Sequence, residues 1–317
     1  MGRDESQLIQ RIVEATLSKL NRTLLHVAKY PVGIESHLQK LHPLISAAEK
    51  DKIRFRGIYG IGGIGKSTIT KACFNIFADE FEGSRYLANV RETSKNHSGL
   101  LKLQETLLFD MPVDKNLKIS NIHRGINIIR ERLCHKSVLL ILDDVDELDQ
   151  LETLARGHEW FGIGSRIIIT TRNKHLPTTC EANGIYEVQG LDYPRALELF
   201  SWNAFKRNEL IEEYLLLLDL ILSYANGLPL ALEVLGSFLY GRQKNQWESS
   251  VQNLKNKPSK KLYDILKISQ DALNDEEKAI VLDIACFFVG KDKDYVTQVI
   301  YVPTLGLKFS SIRLSSR

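Results

Sequence analysis

A chain of 317 residues, 44% hydrophobic and 26% charged, has the composition of an ordinary globular protein and is long enough for two or three domains. Its 42 basic and 39 acidic residues leave a net charge of only +3, which removes the electrostatic case for nucleic acid or an anionic membrane as the main partner. The four cysteines, Cys73, Cys134, Cys180 and Cys286, make neither a zinc pattern nor a disulfide ladder and point to a reducing compartment, and no apolar run reaches the ~18 residues needed to span a bilayer.

In chain order, residues 5–21 read as an amphipathic helix, with Leu8, Ile9, Ile12, Val13 and Leu20 on its apolar side, suited to a linker over residues 1–28. Tyr30-Pro31-Val32-Gly33-Ile34 interrupts this periodicity before a short helix over 35–48. On the residues alone, Val32, Gly33 and Ile34 either line an adenine pocket or form a plain interhelix loop.

An extended run over 53–59 then enters Gly60-Ile61-Gly62-Gly63-Ile64-Gly65-Lys66-Ser67, a complete GxxxxGK[ST] loop, with Thr68 next. A helical pattern leaves it, with Ile69, Ala72, Cys73, Ile76 and Phe77 on one face. Strand, loop and helix in this order make a phosphate cradle. Glycines at 60, 62, 63 and 65 let successive backbone N–H groups, with those of Ile64 and Thr68, turn toward an anion. Lys66 would neutralise the β and γ phosphates, and the Ser67 hydroxyl would hold Mg²⁺.

Residues 84–90 read as a second strand, followed by a loop whose Arg91, Lys95 and His97 either approach a phosphate or, as the commoner case, are solvated. Helices are expected over 100–110 and 122–134, the second with Ile122, Ile126, Ile129 and Leu133 on one stripe. The run Ser137-Val138-Leu139-Leu140-Ile141-Leu142 is a buried parallel strand ending in Asp143-Asp144. Carboxylates at such a strand end face the ligand crevice of an open α/β sheet. Asp143 would hold Mg²⁺ and Asp144 would orient or activate an attacking water, while the acidic pair also suits the N-terminus of the helix that follows.

A fourth strand over 164–172 ends at Arg172, which by spacing alone is either a γ-phosphate sensor or a surface charge, and 186–188 is a short fifth strand. Past residue 190 the pattern turns helical. Asp192 and Pro194 mark a start, and Asn226-Gly227-Leu228-Pro229 breaks one helix and opens the next. Lysines around Pro258 read as a solvated linker, and residues 274–277 as a capping box.

The order of these motifs resembles the NB-ARC module of plant disease-resistance proteins, within the STAND class of switch ATPases. The resemblance rests on GIYGIGGIGKST, LLILDDVD, WFGIGSRIIITTR, ANGLPLALEVLGSFL and LKISQDALNDEEKAIVLDIACFFVG, covers roughly residues 5–300, and with ANVRE and DIACFF looks like the branch that carries a TIR domain. It implies an α/β P-loop NTPase parallel sheet with flanking helices over 29–189, a helical subdomain over 190–262, a partial winged-helix subdomain over 263–300 and a divergent tail over 301–317. It also implies that Val32-Gly33-Ile34 lines the adenine pocket, that Arg172 is the sensor arginine and that Pro229 packs on the base.

The implied function is an ADP/ATP-binding, Mg²⁺-dependent switch of a cytoplasmic or nuclear plant immune receptor. Hydrolysis would be slow, and the partners would be nucleotide and other receptor chains or signalling proteins. An adaptor or decoy acting by protein contact, or a turning-over ATPase, are the alternatives. The sequence carries no Met-His-Asp triplet, whose histidine family members set against the ADP phosphate, and neither TIR domain nor leucine-rich repeats are present in it. A truncated gene product with weaker ADP retention and no NADase activity is the corresponding expectation.

Overall fold

Five strands, β1 (Arg54–Tyr59), β2 (Gly83–Leu87), β3 (Val138–Val145), β4 (Arg166–Thr171) and β5 (Ile185–Glu187), form one sheet in the order β2-β3-β4-β1-β5. Each adjacent pair is parallel. The computed structural model describes residues 24–46, 51–96, 98–108, 119–179, 182, 184–207 and 212–256. The expected linker helix at 5–21, His97 and Cys180, and the expected winged-helix segment, tail and Cys286 lie outside the described residues.

The sheet is covered on both faces, which is why β3 and β4 read as continuous apolar runs rather than alternating ones. Val138, Leu140 and Leu142 of β3 and Ile167 and Ile169 of β4 enter one core cluster, with Phe55, Leu103, Leu107, Ile129 and Leu133. Leu139, Ile141 and Ile168, offset by one residue, are also fully buried and belong to the opposite face. Each such side chain contributes about 1.5–3 kcal/mol on burial.

The helices of the nucleotide-domain half are α1 (Ile34–Ile45), α2 (Lys66–Phe77), α3 (Val90–Ser94), α4 (Gly99–Leu108), α5 (Ile122–Leu133), α6 (Leu148–Leu154) and α7 (His175–Thr179). In α2, which packs against α1 and β3, the buried face holds Ile69, Ala72, Cys73, Phe74 and Phe77, whereas Ile76 is 51% exposed. The expected stripe is therefore rotated toward Phe74, because the helix is gripped from two sides. Burial also pushes the Cys73 thiol up to about 12, so it is a core group rather than a nucleophile.

Two local expectations are corrected. The second strand stops at Leu87, and Val90–Ser94 is a short helix rather than strand end and loop. The helix after β3 is capped by Glu147 with Gln150 in a reciprocal capping box, so Asp143 and Asp144 stay in the strand and do not cap it.

After β5 the described elements are helical: α8 (Tyr193–Ala204), α9 (Leu215–Ala225), α10 (Pro229–Leu239) and α11 (Lys244–Asn256). Asp192 caps α8 by accepting from the Arg195 N–H, with Pro194 in the first turn. Trp247 of α11 is 1% exposed, stacks on Phe205 at 5.4 Å and donates its indole N–H to the Leu239 carbonyl at 3.1 Å. The α9–α10 connection is left-handed at Asn226 and Gly227, which frees the chain to turn before Pro229 starts α10.

Candidate functional site

The ends of β1, β3 and β4 and the start of α2 converge on one crevice. Lys66, 7% exposed, folds its ammonium back to donate to the carbonyls of Gly60 at 2.7 Å and Ile61 at 3.0 Å. Burial, then the nearby Arg172 charge, holds the Lys66 pKa below its usual value. Ser67 donates to Asp143 Oδ1 at 2.9 Å, so the phosphate loop and the acidic strand end, 76 residues apart, meet through one hydrogen bond.

Asp143 is 2% exposed, and the same oxygen accepts a second bond, from the Thr170 hydroxyl at 2.7 Å. Thr170 in turn accepts from the Asp144 N–H at 2.8 Å. This hydroxyl therefore fixes both carboxylate residues from the neighbouring strand, a role not visible in a run of hydrophobic strand residues. Tyr86, at the end of β2, closes the wall beside Thr70 and Ser67; burial first and then the Asp143 charge raise its pKa, so the phenol stays protonated.

Asp144 differs from its neighbour in both backbone and contacts. The register of β3 against β4 shifts between Leu142 and Val145, and Asp144 adopts φ 58°, in the left-handed region that aspartate tolerates better than most residues. Its Oδ2 pairs with Arg91 Nη2 at 2.9 Å and its Oδ1 lies 3.5 Å from Arg172 Nε. The preference for a solvated Arg91 is thus overturned. Because α3 begins at Val90, Arg91 faces the end of β3, while Lys95, 63% exposed, pairs with Glu92.

Gly63 and Gly65 have φ values of 79° and 97°, so the loop uses backbone conformations that glycine adopts without penalty. The Leu230 N–H donates to the Gly63 carbonyl at 3.2 Å, and Pro229 Cγ lies 4.0 Å from where a Gly65 Cβ would be. The start of α10 is therefore seated on the phosphate loop. Gly33, at φ 75°, lets the Val32-Gly33-Ile34 corner approach α8, since a Cβ there would meet Leu191 Cδ2 at 2.6 Å and Arg195 Cδ at 2.9 Å. Gly62 abuts the Arg172 guanidinium, Gly60 and Ile64 pack together, and Thr68 sits in the first turn of α2.

The NB-ARC domain family matches residues 34–210, more than half of the chain. The chain belongs to the NB-ARC family. Relatives of this NB-ARC chain include the disease resistance protein RUN1 of Vitis rotundifolia, 40% identical over 297 residues, and the TMV resistance protein N of Nicotiana glutinosa, 37% identical over 313 residues. The alignments cover 93% and 96% of this chain but only 22% and 27% of those proteins. A solved STAND protein with a tetratricopeptide repeat sensor, from Pyrococcus horikoshii, is 15% identical with a TM-score of 0.44, covering 89% of this chain and 38% of that one. The NB-ARC assignment makes the crevice a P-loop nucleotide-binding fold of the kind found in plant defence proteins.

The donor chemistry of the crevice suits the groups such a fold takes. Ser67 and Asp143 present hard oxygen donors to one point, and among the described residues no group of three or more His, Cys, Asp or Glu side chains could hold a metal alone. The Ser67 and Asp143 oxygens are the donor type that Mg²⁺ takes, one or two protein oxygens together with phosphate and water. Among the described residues no helix is long and apolar enough to cross a membrane.

Proposed function

We propose that the chain is the ADP/ATP switch module of a plant immune receptor, working in the cytoplasm or nucleus. The observation that carries this reading is the seat of α10 on the phosphate loop, through the Leu230 N–H to Gly63 carbonyl bond. A loop that rearranges around a di- or triphosphate cannot do so without disturbing this contact, so nucleotide state is felt by the helices after β5. A switch requires such differential contact, because a ligand shifts a conformational equilibrium only by its difference in affinity for the two states. In this reading residues 29–189 are the nucleotide domain, 190–262 the helical subdomain and 263–300 a partial winged helix.

Lys66 and the loop N–H groups hold the phosphates, Val32, Gly33, Ile34 and Pro229 border the base, and Ser67 and Asp143 hold Mg²⁺, which supplies charge neutralisation at the phosphates when bound. Arg172 senses the γ-phosphate. Asp144 is the candidate for orienting water, but both its oxygens already face guanidinium groups and are engaged by them, which supports slow hydrolysis over fast turnover. Receptor chains or signalling proteins are the partners that a switch of this kind would address.

The test is to purify the 317-residue chain gently, denature it and identify the released nucleotide by mass spectrometry. ADP or ATP is expected, and Lys66→Ala should weaken binding roughly ten- to hundredfold, the size of a lost charge-assisted contact. A chain that binds neither nucleotide in Mg²⁺ by calorimetry would overturn the reading. Steady phosphate release at ordinary ATPase rates would replace the switch with a turning-over enzyme.

A further inference from the structure

We propose that Arg91 is a positioning residue that sets the preference of the site for ATP over ADP by controlling how tightly Asp144 retains Arg172. The proposal rests on the nucleotide reading above and extends it to a residue outside the recognised nucleotide motifs.

Asp144 is one carboxylate between two guanidinium groups. Arg91 takes Oδ2 at 2.9 Å with its side chain 24% exposed, whereas Arg172 lies 3.5 Å from Oδ1 with its side chain 52% exposed. The closer, more sheltered pair is the stronger one, since exposure screens the other. Arg91 also restrains the carboxylate of a residue in the left-handed conformation, where the strand register has slipped and the ladder no longer holds it. Arg172 is then the group free to leave. Its guanidinium carbon lies only 3.4 Å from the position of a Cβ on Gly62, so it already borders the phosphate loop.

A γ-phosphate and Asp144 compete for Arg172. With Arg91 in place, part of the Asp144 charge is already neutralised, and transfer of Arg172 to the phosphate is easier. Without Arg91 the undivided carboxylate retains Arg172 and the triphosphate loses its advantage. Arg91 acts through Asp144 more than directly on the phosphates.

The experiment is calorimetric titration of the full chain with ADP and with a non-hydrolysable ATP analogue, both in Mg²⁺. Arg91→Ala should lower the ratio of analogue to ADP affinity about fivefold, the scale of one partly exposed ion pair. Arg91→Lys should recover part of the ratio. Lys95→Ala, on the same helix, should leave it unchanged. In an Asp144→Asn background Arg91→Ala should have no further effect on the ratio. Equal loss of both affinities, or an undiminished effect in the Asp144→Asn background, would overturn the positioning role and leave the nucleotide reading standing. A wild-type chain that binds neither ligand would overturn both.

Discussion

The backbone N–H of Leu230 donates to the carbonyl of Gly63 at 3.2 Å, across 167 positions of sequence, and the same two residues leave no room for a side chain between them. A Cβ on Gly63 would stand 2.7 Å from Leu230 Cβ, and the residue has φ 79°. Gly63→Ala therefore meets both a conformational and a steric penalty. Gly241, at φ 72° with nothing within 4 Å of a Cβ, meets only the first. Gly241→Ala should cost about 1–2 kcal/mol, and Gly63→Ala about 1–3 kcal/mol more, read as midpoints in urea unfolding. Equal losses would show that the contact between the loop and α10 is loose.

Thr170 is the second test of how the site is built. Thr170→Val keeps the shape of the side chain but removes the donor to Asp143 and the acceptor for the Asp144 N–H. Leaving buried groups without partners should lower stability by about 1–3 kcal/mol, with Thr170→Ser recovering most of the loss. Because Asp143 would also be free to turn away from Ser67, the Mg²⁺-dependent part of nucleotide affinity should fall in Thr170→Val. Calorimetry with and without Mg²⁺ measures this, and an unchanged Mg²⁺ increment would show that Ser67 alone fixes Asp143.

What could be read from the chain was what is encoded contiguously. The loop over Gly60 to Ser67 and the apolar run ending at Asp143 are signatures because each motif contains its own strand, turn or helix start. Arg91 stays open in the sequence because its role depends on where β2 ends, three positions before the start of a helix that aims it at another strand. Thr170 was hidden for a different reason, since a polar residue in the fully buried β4 has meaning only once β3 lies beside it. The rotation of α2 that exposes Ile76 and buries Phe74 likewise follows from α1 packing on it, a contact no periodicity reports. The bond between Leu230 and Gly63 joins two separate stretches of sequence and is legible in neither.

His37 joins two of these distant pieces and gives the fold a pH dependence of known sign. Its Nδ1 lies 2.8 Å from the Tyr186 hydroxyl of β5, and the ring is 8% exposed. Burial, then the charges of Lys40 on its own helix and Arg195 on α8, holds its pKa below the ordinary 6.5. Above 6.5 the ring is neutral in both folded and unfolded chains. As the pH falls below 6.5 the unfolded chain takes up a proton that the folded chain resists, so stability declines as the pH drops through the folded pKa. Other groups also titrate in acid, so the comparison must be with a variant that keeps polarity but cannot titrate. His37→Gln should show a shallower loss of stability than the wild type between about pH 7 and pH 5, measured by urea midpoints at each pH. Parallel curves would mean that the imidazole is protonated in the folded chain as readily as in the unfolded one, and that the contact between α1 and β5 carries no pH dependence.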